Sequence, residues 1–303
     1  MALDHEDALR ALEKRVLKAG AGPWIATIEK MRRAEEAGDL ALFADLLLSL
    51  KVPGIETAAL TGLAEAYEMG TAHALDMIDS RAPRVVAESA AVRSAGARAV
   101  VPAAAAATVA KLHLDAGNAL RQAERFGFMG ARPDEILAPL RVSSNAIQRD
   151  VITTLHETAS GAVVDVARIA RAELVWVAER DACAHCLAMQ GQVVAAGDSP
   201  DYLQTYAAKP LPIPPNRETA SRHPRCRCQW EIVYSIEYVS GLKREADRSI
   251  LRGFSLPNES EKVRVDAAAR LLEKGVDAPK SVKAYAERAV RRGAFPTRAV
   301  PSG

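Results

Sequence analysis

The sequence predicts a mainly α-helical protein, with long alanine-rich helices packed around a short antiparallel sheet that belongs to a small α+β module. Three observations carry this expectation. Apolar residues recur at helical spacing through most of the chain up to Ala172. Alanine is abundant, as in the run Ala103 to Ala107, while aromatic residues make up only 5% of the chain, a balance that favours thin, closely packed helices over a broad aromatic core. From Glu173 the composition turns to β-branched and aromatic residues in strand-length runs. A hydrophobic fraction of 49% over 303 residues supplies a sizeable core and suggests about two domains. Four regions follow: a helical stretch over 1–82, long helices over 83–172, the β module over 173–239, and a basic helical region over 240–303.

Residues 4–50 read as two or three short amphipathic helices, with Leu9, Leu12, Val16 and Leu17 at helical spacing and Gly20-Ala-Gly22-Pro23 as a break before Trp24. Val52-Pro53-Gly54 is a turn. A helix from Glu56 to about Ile78 carries Leu60, Leu63, Ala64, Tyr67 and Ala74 on one stripe, and Ala82-Pro83 ends it. Val85 to Phe128 is a long helical pattern in which Pro102 marks a kink or the first turn of a new helix. Gly127 to Pro133 breaks that pattern. Pro133, just ahead of Asp134 and Glu135, opens another helix, and Ser143 or Ser144 caps the next, which runs to about Ala172.

Strand candidates follow at Leu174-Val-Trp176-Val and Gly191-Gln-Val-Val194, and most clearly at Gln229 to Ile236, where Trp230, Ile232, Tyr234 and Ile236 share one face. Pro200, Pro210, Pro212, Pro214 and Pro215 make the stretch between the last two a loop. After Gly241 helices resume. Asn258-x-x-Glu261 has the form of a capping box, and a last helix covers Pro279 to Arg292.

Charge excludes little. The 40 Lys and Arg against 38 Asp and Glu leave a net of +2, so the chain as a whole carries no field that marks a nucleic-acid or membrane binder. The distribution is uneven, with 14 basic against 8 acidic residues from Ser240 onward and 26 against 30 before it. No apolar run approaches the ~18 residues that cross a bilayer, and the acidic opening Met1-Ala-Leu-Asp-His-Glu lacks a signal core. The expectation is a product of a reducing compartment without membrane partners, where clustered cysteines mean metal more often than disulfide.

The cysteines are clustered. All four fall in the β module, as Cys183-x-x-Cys186 and His223-Pro-Arg-Cys226-Arg-Cys228. Thiolates are soft ligands, and tetrahedral zinc is commonly held by two short chelating pairs from separate stretches of backbone. Cys183 and Cys186 flank a turn, and Cys226 and Cys228 share a face if their segment is extended. Five ligands, Cys183, Cys186, His223, Cys226 and Cys228, compete for about four places. Either His223 or Cys226 completes the set begun by Cys183, Cys186 and Cys228. Enough protein donors exist to close the sphere around one structural zinc per chain, with a folding contribution of the order of ~10 kcal/mol.

The run Trp176-Val-Ala-Glu-Arg-Asp181-Ala-Cys183-Ala-His-Cys186, then Gly191-Gln-Val193, Pro214-Pro215 and His223-Pro-Arg-Cys226-Arg-Cys228, resembles the phage Mu F-like head morphogenesis family of minor head, or minor capsid, proteins. The family pattern is an aspartate, Cys-x-x-Cys, a Gly-containing turn into a short strand, and His-Pro-Asn-Cys-Arg-Cys opening a strand. Arg225 stands where asparagine is usual. The motif spans about Trp176 to Val233, and a looser helical similarity extends back towards Val85. The resemblance implies a virion protein assembled in the host cytoplasm and placed in the capsid interior. Its implied partners are the portal, capsid and scaffold proteins, and its role head assembly and genome packaging or delivery, without catalysis by this module.

The residues offer no enzyme motif. His156-Glu157 is not followed by the second histidine of a metalloprotease helix, and neither a Gly-x-Ser-x-Gly elbow nor a phosphate loop is present. His5, His73, His113 and His156 lie in helical patterns as packing or surface residues. Asp181 caps the cysteine turn or accepts from a ligand's ring nitrogen, and Trp176 and Trp230 are expected to pack together in the sheet. Lys280, Lys283, Arg288, Arg291 and Arg292 make the last helix basic, either as a solvated face or as a contact for packaged DNA. Two other readings stay open: a zinc-module nucleic-acid adaptor and a capsid maturation protease.

Overall fold

The computed structural model describes residues 2–79, 102–170, 172–178, 190–191, 193–195, 228–233, 237–242, 244, 261–273 and 280–294. Helix α1 spans Ala2–Glu36, α2 Leu40–Ser49, α3 Ile55–Asp79, α4 Ala103–Phe128 and α5 Pro133–Ala170. Strands β1 (Glu173–Val177), β2 (Val193–Ala195) and β3 (Gln229–Ile232) follow, then α6 (Glu261–Glu273) and α7 (Lys280–Arg292). The protein is thus mainly helical with a small antiparallel sheet. None of the described helices is long and apolar enough to cross a membrane.

The described residues form two compact units. In the first are the residues up to Met69 and Pro102 to Ala159; in the second are Gly70 to Asp79 and those from Ser160 onward, so α3 and α5 contribute to both.

The first unit is a helical bundle. Its core joins Leu9, Leu12, Val16, Trp24 and Met31 of α1 to Ile55 and Leu63 of α3, Leu112 of α4, and Leu137, Leu140 and Leu155 of α5. Each fully buried side chain of this size contributes about 1.5–3 kcal/mol relative to exposure. Asp39 caps α2, its carboxylate accepting from the Leu42 N–H at 3.0 Å.

Two expected helix ends are absent. Gly20-Ala-Gly22-Pro23 does not break the chain, because α1 runs straight through it. Gly20 is a point of close approach instead: a Cβ there would stand 2.7 Å from Ile55 Cδ1 and 3.1 Å from the Ile55 Cα. Pro23 removes the N–H that the Ala19 carbonyl would accept. Burial of Ala21, Trp24 and Ile28 on the core side offsets that loss and keeps the helix continuous. Likewise Ser143 and Ser144 cap nothing: both are buried in the interior of α5, which starts at Pro133 and also contains Pro139. The start at Pro133, with Asp134 and Glu135 in the first turn, is as expected, and Pro102 stands at the N-cap of α4. The helical pattern expected over Val85 to Val101, the prolyl loop, and Asn258 of the capping box lie outside the described residues.

In the second unit β1 is central, with sheet order β2-β1-β3 and both pairings antiparallel. Glu173 pairs with Ala195 on one side, and Val177 with Gln229 on the other. Trp176 and Trp230 are direct cross-strand partners and meet edge to face, ring centroids 5.1 Å apart at 80°. Leu174, Trp176, Trp230 and Ile232 make one face of the sheet, each at most 1% exposed. On the opposite face Val175 and Val233 pack with Leu242, Val177, Tyr238 and Val239, so a helical segment over 237–242 covers it. The Trp230 N–H, on the side of β3 away from β1, donates to Ser160 Oγ of α5 at 2.9 Å. That bond closes an edge that would otherwise offer a free donor.

β3 is shorter than the predicted run to Ile236. It is described as a strand to Ile232, and Tyr234 and Ile236 lie outside the described residues. Its second face is not solvated either: all four of its residues are buried, Gln229 and Glu231 among them.

A second glycine yields a stability prediction. At Gly62, inside α3, an added Cβ would stand 2.4 Å from Val16 Cγ2 and 3.4 Å from Leu155 Cδ2. Val16 is β-branched and cannot swing aside. Gly62→Ala is expected to destabilise the protein by about 1–3 kcal/mol through overpacking, outweighing the ~1 kcal/mol helix-propensity gain. Denaturant titration checks this, and an unchanged or raised midpoint contradicts it.

Candidate functional site

The sheet register fixes where Cys228 stands. β1 and β3 are antiparallel, and Val177, the last residue of β1, is paired with Gln229, the first of β3. Cys228 immediately precedes that pair and is 2% exposed. The chain therefore leaves β1, towards the stretch that contains Cys183 and Cys186, at the sheet end where Cys228 sits. It returns at the same end: Gly191 lies in a turn at φ 76°, its N–H donates to the Trp176 carbonyl at 2.9 Å, and β2 begins two residues later. The expected glycine turn into a short strand is present, with Gly191 at the sheet end that carries Cys228.

Of the five candidate ligands, only Cys228 is among the described residues; Cys183, Cys186, His223 and Cys226, with Asp181, lie outside them. Among the described residues no group of three or more His, Cys, Asp or Glu side chains could hold a metal ion. Cys228, the one cysteine among the described residues, is a soft donor of the kind zinc takes.

On the Val175 face of the same sheet is a polar cluster that the sequence reading did not identify. Glu231, 1% exposed, accepts from Tyr238 Oη at 2.5 Å and from Gln229 Nε2 at 3.2 Å. His73 Nε2 of α3 lies 3.7 Å from its Oε1. Burial alone would push the Glu231 carboxyl up. His73 and the hydrogen bonds from Tyr238 and Gln229 outweigh that, and hold it below the usual carboxylate range. His73 was expected to be an ordinary packing or surface residue; it is buried, with its ring nitrogen directed at the Glu231 carboxylate. No sequence signal joins these residues, since Glu231 alternates with Trp230 and Ile232 as a solvent-facing residue would.

A comparable pair lies in the first unit. His156 Nε2 stands 3.3 Å from Glu13 Oε2, linking α5 to α1, with His156 2% and Glu13 7% exposed. Both carboxylate–imidazole pairs are closed to solvent, which suits cross-links between elements better than proton transfer to a substrate. Compared with protein-family models, curated proteins and solved structures, the chain matches none of them. The functional reading therefore rests on the residues themselves.

The Glu231 cluster makes stability depend on acid. With the folded-state carboxyl held below its ordinary range, its stabilisation is fully present above that range. It is lost as the pH falls through and below it, where the unfolded chain takes up the proton first. Glu231→Gln is expected to flatten the acid limb of a plot of thermal midpoint against pH, and an unaltered limb contradicts this. His73→Ala, which removes one partner of the buried carboxylate, is expected to cost about 3 kcal/mol in denaturant titration.

Proposed function

We propose that this chain is a phage minor head protein, acting in head morphogenesis and in genome packaging or delivery, with the portal and the capsid interior as its surroundings. The observation that carries the reading is the ordered coincidence of Asp181, Cys183-x-x-Cys186, Gly191, His223-Pro224 and Cys226-Arg-Cys228. The sheet is in keeping with it: Cys228 sits at the end of β1 from which the chain continues towards Cys183, and the Gly191 turn stands at that end. Scaffold and capsid proteins are the further partners on this reading.

In this proposal the module is a structural zinc site. Cys183, Cys186 and Cys228 hold one ion per chain, with His223 or Cys226 as the fourth donor. Zinc neutralises thiolates that would otherwise repel one another at one sheet edge, and it ties the prolyl loop at both ends. The protein's own groups fill the coordination sphere, so the site is a staple and not a Lewis acid for a substrate. A second reading, a zinc-module adaptor that binds nucleic acid, draws on the basic character of α7.

Two measurements test the proposal. Elemental analysis of the purified protein is expected to give about one zinc per chain. Cys228→Ser is expected to lower that stoichiometry and the thermal midpoint together; a metal-free protein that melts identically in chelator rules out the staple. Co-expression with the portal protein of the same genome is expected to yield a complex that survives affinity purification. Absence of both that complex and the chain from purified heads would falsify the head-protein assignment.

A further inference from the structure

Helix α7 differs from the other helices in what its charges do. On α1, α4 and α5 seven of the thirteen cations are ion-paired among the described residues: Arg10 with Glu6, Arg15 with Glu65, Arg32 with Glu29 and Glu36, Arg33 with Glu29, Lys111 with Asp115, Arg149 with Asp150, and Arg168 with Asp165. On α7, Lys280, Lys283, Arg288, Arg291 and Arg292 have no ion pair among the described residues. The only acid on the helix is Glu287, itself exposed.

Packing does not account for these charges. The apolar side of α7 is already in use, with Tyr285 and Ala289 buried against Val265 and Ala268 of α6 and Val290 beside them. Lys280, Arg288, Arg291 and Arg292 are exposed and Lys283 is half-buried. Helix electrostatics account for part of the set only. Arg291 and Arg292 in the last turn favour the helix dipole, but Lys280 and Lys283 stand in the first turn, where cations are disfavoured and where α7 has no acid. A helix that leaves its cations unmatched, two of them at its positive end, is suited to an anion from outside.

We infer that the exposed face of α7 binds the phosphate backbone of double-stranded nucleic acid, without base readout. The helix is about 18 Å long from Lys280 to Arg292, and that length of duplex axis presents about ten phosphates. Four exposed cations with the half-buried Lys283 beside them match a polyanion better than a single anionic group. The only aromatic residue of α7, Tyr285, is buried against α6, so no platform remains for stacking single-stranded bases. Among its described side chains, the exposed face of α7 has no large apolar residue to enter a lipid interface. The inference stands on these charges and not on the head-protein reading.

The experiment is fluorescence anisotropy of a labelled random-sequence duplex DNA of about 30 base pairs with the full-length protein, over about 50 to 200 mM salt. The logarithm of affinity is expected to fall linearly with the logarithm of salt concentration, with a slope of about −4.5 if all five cations engage. Arg288→Gln combined with Arg291→Gln and Arg292→Gln is expected to reduce the slope to about −2 and to weaken binding at low salt at least about tenfold. Glu287→Gln, which removes the one opposing charge, is expected to tighten binding and keeps the test decisive if the triple variant folds poorly. No binding at low salt, a slope unchanged in the triple variant, or no tightening by Glu287→Gln overturns the inference. So does a preference for phosphatidylserine vesicles or single-stranded DNA over duplex. Portal association and zinc content are read separately, so either proposal can fail without the other.

Discussion

Burying Glu231 in a strand whose four side chains are all withdrawn from water obliges three stretches of chain to converge on it. His73 arrives from α3, Tyr238 from the helical segment after the sheet, and Gln229 from two residues earlier in the same strand. A buried carboxylate without partners costs several kcal/mol, so each of these groups is held in place by the need of the others. The same strand is fixed along its edge by Ser160 and across its other face by the Trp176–Trp230 contact. Register follows from this. A slip of one residue would turn Glu231 into the tryptophan face and Trp230 into the polar cluster.

That register links fold to site. Because Val177 stands opposite Gln229, Cys228 is delivered to the sheet end from which the Cys183-x-x-Cys186 stretch departs. The polar cluster and the proposed metal centre are therefore connected through one short strand: what fixes β3 in register also fixes the position of Cys228. The Gly191 N–H bond to Trp176 performs the corresponding task on the returning chain.

Much of the architecture was legible in the sequence because it follows from periodicity. Helices α3 and α4, the helix start at Pro133, the onset of β structure at Glu173 and the pairing of the two tryptophans follow from where apolar residues recur, although the buried face of α3 runs through Ile55, Ala59, Leu63 and Ala66, offset from the stripe expected through Leu60, Ala64 and Tyr67. The failures have a common origin in local signals overruled by packing. Gly20 and Pro23 look like a break, but glycine there admits Ile55 and the flanking core residues carry the helix past the proline. Ser143 and Ser144 look like caps, but they lie within a helix that continues to Ala170. The Glu231 cluster was illegible for another reason: alternation cannot tell a solvated face from one covered by a later helix, and His73 is far away in the chain. As for the site, one predicted ligand, Cys228, is described and buried, and the grouping of the others is a matter of sequence alone.

The tryptophans also give the molecule a built-in optical division of labour. There are three in the chain; Trp24 is buried in the bundle of the first unit, while Trp176 and Trp230 are in mutual edge-to-face contact within the sheet of the second. Two indoles held at 80° and 5.1 Å form a coupled chromophore whose far-ultraviolet exciton dichroism exists only while β1 and β3 are paired. Emission from Trp24 depends on the helical bundle instead. The order in which the two parts of this chain assemble is therefore observable without any added label.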